Sequence, residues 1–215
     1  MTALTRRATV TGVAAGALMA VAPAGAAVKL APGDMSLGNA KAPVHVVEYL
    51  SLTCPHCAEF HEQVFPAFKA KYIDTGRVYF TIRELLTAPA NLGAAGFLMA
   101  RCNGGGRYFQ VVDQVFRSQS RWKPGAPIKP IFVEIAKANG MTEAQLDACL
   151  LDEKAQAALE SRLAYATETD KVTGTPTFFV NGVLLPNQHV PTLAELDAAI
   201  AKALKAPGAN TGGRR

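Results

Sequence analysis

The sequence predicts an α/β fold, a central mixed sheet with flanking helices, carrying an inserted all-helical subdomain. Three observations predict it. The near-continuous apolar run His45–Leu50 leads through a helical pattern into the alternating run Arg77–Arg83, the signature of a right-handed βαβ unit. The block 87–172 then reads as helices separated by Gly/Pro loops. Finally, Phe178–Val180 and Val183–Leu185 flank Asn181-Gly182, the strongest short hairpin signal, ahead of a closing helix.

Residues 1–26 read as an export signal. Arg6-Arg7 precede a weakly apolar stretch, Ala8–Ala22, too short to span a membrane, and Ala24-Gly25-Ala26 fits a small-residue cleavage site. Paired arginines suggest the twin-arginine route, with the general secretory route and an uncleaved anchor as alternatives. Either route ends where disulfides persist. Residues 27–43, with Pro32, Gly33, Gly38 and Pro43, form a lead-in that adds a short edge strand.

The helix starting at Pro55 is expected to run to about Tyr72, with Phe60, Val64, Phe65 and Phe68 on its apolar side. Pro66 should bend or break it. Inside the insertion, Leu92–Cys102 stops at Asn103-Gly104-Gly105-Gly106, and Tyr108–Gln119 carries Phe109, Val112 and Phe116 at helical spacing. Ile128–Ala138 ends near Gly140, a C-cap. Thr142 and Gln145 form a capping box for a helix holding Cys149, and a further helix covers Glu153–Thr169. Thr192 and Glu195 cap the last helix, and 206–215 reads as a flexible tail.

The chain has 215 residues, 49% hydrophobic and 18% charged, enough for a real core. Its net charge of +5 invites a nucleic-acid reading. Arg6, Arg7, Arg214 and Arg215 lie at the two ends, however, and without them 18 basic residues face 17 acidic ones. No basic stripe interleaved with aromatics remains, so no nucleic-acid partner is expected.

The chemistry centres on Cys54-Pro55-His56-Cys57, where strand hands over to helix. Cysteines at i and i+3 on a first helical turn lie about 5–6 Å apart, within disulfide reach. Pro55 suits the first helical position, and the free amides of that turn favour a Cys54 thiolate. Cys54 is therefore the nucleophile and Cys57 its resolving partner, with His56 able to lower the Cys54 pKa further. Each pKa unit of depression favours the reduced form by about 1.4 kcal/mol, so the disulfide form becomes an oxidant. The competing reading, half of a structural zinc site, lacks a second closely spaced pair. No metal or other cofactor is expected.

Glu48 is an anomaly in an apolar strand. It either lies beneath the redox pair with a raised pKa or sits at a wet strand end or against a buried base. Cys102 and Cys149 either pair, as leftover cysteines of an exported chain do, or remain two buried thiols. A cis bond before Pro176 would turn the Thr175 backbone outward toward an extended peptide.

Val46-Val47-Glu48-Tyr49 leading into the C-P-H-C motif, the helical block, and Gly174-Thr175-Pro176-Thr177-Phe178-Phe179-Val180-Asn181-Gly182 together resemble the DsbA-type thiol-disulfide oxidoreductases. The resemblance covers roughly residues 34–204 and implies a thioredoxin fold whose halves are 44–86 and 173–205. It implies a periplasmic enzyme in which Cys54 is the exposed attacking cysteine, Cys57 resolves, Thr175-Pro176 form the cis-proline loop, and Pro55, His56 and Glu48 tune the pair. It also implies a Cys102–Cys149 disulfide, unfolded or cysteine-containing exported substrates, and reoxidation by a quinone-linked, DsbB-like membrane oxidase.

Two positions depart from the family pattern. His61 stands where strong oxidants carry a carboxylate, four residues past the second cysteine. Threonine before Pro176 also occurs in related isomerases, which resemble dimers built on an added N-terminal domain for which this chain has no length. The expectation is thus a monomeric oxidase, with a reductase or isomerase of the same fold, or a non-catalytic metal- or peptide-binding module, as alternatives.

Overall fold

The computed structural model describes residues 30–186 and 189–206. The expected export signal and nearly all of the expected tail lie outside the described residues.

Five strands form one mixed sheet in the order β1-β3-β2-β4-β5. These are β1 (Met35–Leu37), β2 (Val44–Leu50), β3 (Val78–Glu84), β4 (Thr177–Val180) and β5 (Val183–Leu184). β2 is central, parallel to β3 and antiparallel to β4, and β1 and β5 are antiparallel edges. Because helices cover both faces, β2 is mostly apolar, and Val44, Val46, Val47, Tyr49 and Leu50 are fully buried, with Glu48 the one enclosed carboxylate among them. The β4–β5 turn is Asn181-Gly182, both with positive φ (47° and 78°), as a tight two-residue hairpin requires. Asn181 also clamps the start of β2, since its side-chain oxygen accepts from the His45 amide at 2.7 Å.

The helix after Cys54 does not run unbroken. It divides into α1 (Pro55–Gln63), α2 (Phe65–Phe68) and a wider turn over Lys69–Ile73. Pro66 explains the break, because it has no N–H to give the Glu62 carbonyl and its ring crowds that oxygen. The break still places Phe60 and Phe68 in the core against Phe178 and Phe80.

Between β3 and β4 the chain is helical: α3 (Ala90–Arg101), α4 (Tyr108–Ser118), α5 (Lys129–Ala138), α6 (Glu143–Leu150) and α7 (Glu153–Ala164). Helix α8 (Leu193–Lys205) closes the fold. The expected helix to Thr169 is α-helical only to Ala164 and widens over Tyr165–Thr169. The capping boxes at Thr142 and Thr192 are both formed. Cys102 and Cys149 are disulfide-bonded, with Cα atoms 6.0 Å apart, tying the end of α3 to α6.

The helical block is fastened to the sheet by buried charge. Arg83 of β3, 5% exposed, holds Asp34 through two hydrogen bonds of 2.9 Å and Asp170 through one of 2.6 Å. Glu84, fully enclosed, accepts from Arg101 of α3, Tyr108 of α4 and Arg162 of α7. Sequence alternation marks the strand but not these pairs, which join residues 17–87 positions apart.

Candidate active site

The redox motif lies where β2 ends. Ser51, Thr53 and Thr87 form a hydroxyl network that fixes the turn, with the Thr53 hydroxyl 2.9 Å from the Thr87 carbonyl oxygen and the Thr87 amide donating to Ser51 Oγ at 3.0 Å. Gly96 of α3 allows close approach there, since a Cβ on it would lie 2.7 Å from Leu52 Cδ1. The insertion also reaches in directly. Gln119 Nε2 donates to the carbonyl oxygens of Leu52 (2.9 Å) and Cys54 (3.4 Å).

Cys54 is the N-cap of α1, with extended backbone, and Pro55 takes the first helical position. Its thiol pKa falls from 9.0 to about 5. The hydrogen bond from the Cys57 thiol is the largest cause; burial opposes it, and Thr175 and the Cys57 and His56 amides add to it. The thiol lies 3.3 Å from the Thr175 carbonyl oxygen, and the buried Thr175 hydroxyl has no partner in the thiol form among the described residues. The Thr175–Pro176 peptide bond is cis. Cys57 is fully enclosed, and burial, then Cys54 and Glu48, push its thiol well up. The two sulfurs are thus opposites, one poised as thiolate and one held as thiol.

Two expectations need correction. Cys54 is not broadly exposed: 6% of its surface is accessible, against none of Cys57. The His56 ring does not reach the Cys54 sulfur; its side chain is 68% exposed and Nδ1 lies 3.6 Å from Glu59 Oε2. At the N-cap the sulfur faces the free amides of the turn, so His56 contributes its backbone N–H while its ring projects outward.

Glu48 is fully enclosed, so the wet-strand-end reading falls away. Its Oε2 lies 2.9 Å from His61 Nε2, while Oε1 has no partner among the described residues. Burial raises the Glu48 pKa, partly opposed by His61. His61 was visible in the sequence only as a departure from a family pattern. Its position four residues after Cys57, on the same face of α1, was the signal available. Gln119 gave none. Among the described residues no group of three or more His, Cys, Asp or Glu side chains is placed to hold a metal ion.

A family model described as Thioredoxin matches residues 30–202. A Rickettsia bellii protein, provisionally named a protein-disulfide oxidoreductase, is 35% identical over 178 residues, which is 82% of this chain and 67% of that protein. The chain spans 62–64% of four further Rickettsia relatives. Among solved structures, Wolbachia pipientis alpha-DsbA1 matches with a TM-score of 0.74 at 28% identity, covering 82% of this chain and 93% of that one. A protein-disulfide isomerase from Novosphingobium aromaticivorans matches with a TM-score of 0.67 at 26% identity, covering 82% and 100%.

A low-pKa thiol at a helix N-terminus, a buried partner one turn on and this fold define the class: a thiol-disulfide oxidoreductase of the DsbA type. The chain belongs to the thioredoxin family.

Proposed function

We propose that this protein is an oxidase that donates the Cys54–Cys57 disulfide to newly exported, cysteine-containing proteins in the periplasm. The observation that carries this reading is the asymmetry of the pair, Cys54 lowered to about 5 and Cys57 raised. A couple whose reduced form holds a stabilised thiolate gives its disulfide away readily, and a low-pKa sulfur leaves readily in exchange. A substrate thiolate attacks Cys54 Sγ, and the Cys54–Cys57 bond breaks with its electron pair and a proton passing to Cys57. A second substrate thiolate attacks the substrate sulfur of the mixed disulfide, releasing the oxidised substrate and the Cys54 thiolate.

In this reading Pro55 and the amides of His56 and Cys57 tune Cys54, Glu48 tunes Cys57, and the Thr175–Pro176 loop receives an extended peptide. Cys102–Cys149 stays closed as a structural bridge. The protein acts as a monomer, and a quinone-linked, DsbB-like membrane oxidase returns the pair to the disulfide. No described helix is long and apolar enough to cross a membrane.

Equilibration with a glutathione buffer tests the direction. The expected couple lies above the roughly −180 to −210 mV of oxidising compartments, and a value near the roughly −270 mV of thioredoxin overturns the oxidase reading. Isomerisation is the second reading. It is favoured by Thr175 before the proline and by the likeness to the Novosphingobium isomerase.

A further inference from the structure

We infer that His61 is a positioning residue of the exchange reaction: it shares a proton with the enclosed carboxyl of Glu48, and the pair lends that proton to Cys57 and takes it back. The inference rests on the proposed exchange at Cys54–Cys57 and deepens it.

Geometry points to this role. His61 is 4% exposed, yet it donates into or accepts from a carboxylate that water does not reach, at 2.9 Å. An isolated carboxylate in such a place is expensive, and so is an isolated imidazolium, so the two hold a proton in common. The second carboxylate oxygen, Oε1, is buried without a partner among the described residues, in the interior that also encloses Cys57. With Oε2 taken by the ring, Oε1 is the atom left to face a titrating neighbour. The charge of Glu48 is felt at Cys57, which places the two groups in electrostatic reach.

Aromatic packing holds the ring. Its centroid is 4.7 Å from that of Phe65 on α2 and 4.8 Å from that of Phe116 on α4, at interplanar angles of 32° and 30°, while Phe60 meets it edge-on at 5.5 Å. None of these groups titrates. The charged and titratable groups on the packed elements are His45, Glu48 and Tyr49 of β2, the exposed His56, Glu59 and Glu62 of α1 along with Cys57, and Tyr108, Asp113 and Arg117 of α4, the last two pairing with each other at 2.9 Å on the surface. Of these Glu48 is the one hydrogen-bonded to the ring. Glu48 is therefore the acid that His61 answers to.

The step balances. When a substrate thiolate forms its bond to Cys54 Sγ, the Cys54–Cys57 bond breaks and its electron pair lands on Cys57 Sγ. The shared proton passes to that sulfur, leaving Glu48 a carboxylate and His61 a neutral imidazole. Reoxidation runs the proton transfer backward. The Cys54 thiolate attacks a disulfide oxidant such as oxidised glutathione and releases one of its thiolates. Cys57 then gives up its proton to the pair and attacks Cys54 Sγ of the mixed disulfide, and the oxidant's second thiolate leaves with the electron pair. Over a full cycle the pair ends as it began.

The test compares His61→Gln with the unmodified protein. Glutamine keeps a hydrogen bond to Glu48 but holds no exchangeable charge. Disulfide transfer to a cysteine-containing peptide and reoxidation by oxidised glutathione are each followed across pH. The variant is expected to slow both half-reactions by roughly 100-fold near neutral pH and to lose the inflection that the shared proton gives the wild-type profile. Wild-type rates with a wild-type profile overturn the inference. A purely structural role would instead lower the unfolding temperature and leave the profile's shape intact, which overturns it equally.

A measurement without substitution stands beside it. In protein carrying nitrogen-labelled histidine, the His61 ring nitrogens should change protonation between the oxidised and reduced forms, and identical nitrogens in both forms refute the sharing. If the unmodified protein transfers no disulfide at all, the proposed function itself fails.

Discussion

Replacing Cys54 by serine isolates the thiolate energetically. The gap between the ordinary 9.0 and about 5 corresponds to roughly 5 kcal/mol of preference for the charged sulfur in the folded, reduced protein. Its pH dependence follows from linkage. A group whose folded pKa is depressed stabilises the fold fully above the unfolded value, and that stability is lost as pH falls through the folded value. Between 9.0 and about 5 the reduced wild type should lose roughly 1.4 kcal/mol per pH unit relative to reduced Cys54→Ser, with roughly 2–3 kcal/mol remaining at about pH 7. Urea unfolding of both reduced proteins across this window measures the difference directly. The thiolate absorbance of Cys54, read in parallel, should show a midpoint near 5. A flat stability difference with a midpoint near 9 refutes the account of Cys54 as a stabilised thiolate, and with it the physical basis for an oxidising couple.

Three further perturbations probe the surroundings. Thr175→Val removes the buried hydroxyl beside Cys54, so the Cys54 midpoint should move upward in the same absorbance titration. Arg83→Met leaves Asp34 and Asp170 without their buried cation, a loss of roughly 3–5 kcal/mol that should lower the unfolding temperature by about 10 °C while the Cys54 titration stays put. Replacing both Cys102 and Cys149 by alanine opens a bridge with a sequence separation of 47. In the chain-entropy model the loss is up to roughly 4 kcal/mol, measured as a lower urea midpoint.

Sequence carried the fold wherever the signal was local. The apolar run of β2, the Asn181-Gly182 turn and the boxes at Thr142 and Thr192 are each set by residues within a few positions of one another, and each appears in the structure. Pro66 marked a bend or break in the helix, though not that α2 would shrink to a single turn. The active-site pair was legible because both cysteines share one helical turn. What stayed hidden is long-range and polar. Glu48 and His61 come from a strand and a helix, and the Arg83 network joins the lead-in, β3 and the exit of the insertion. No periodicity encodes such pairs: Glu48 alone stood out in an apolar strand, but nothing local named His61 as its partner. The side chain of His56 was misplaced for a simpler reason: adjacency in sequence does not give a ring the direction its backbone amide has.

The two hydrogen bonds from Gln119 give the helical block a part in the chemistry that its distance in sequence conceals. A side chain that grips the carbonyls of both Leu52 and Cys54 acts as a rivet between two halves that otherwise look like host and guest. Phe116, from the same block, walls in His61. An engineer who cut out the insertion to obtain a smaller catalyst would therefore strip one side from the redox centre and unpin the turn that presents its sulfur. Swapping the insertion for that of a relative would replace the pin on the Cys54 turn and the wall beside His61 in one stroke, so neither can be exchanged without the other.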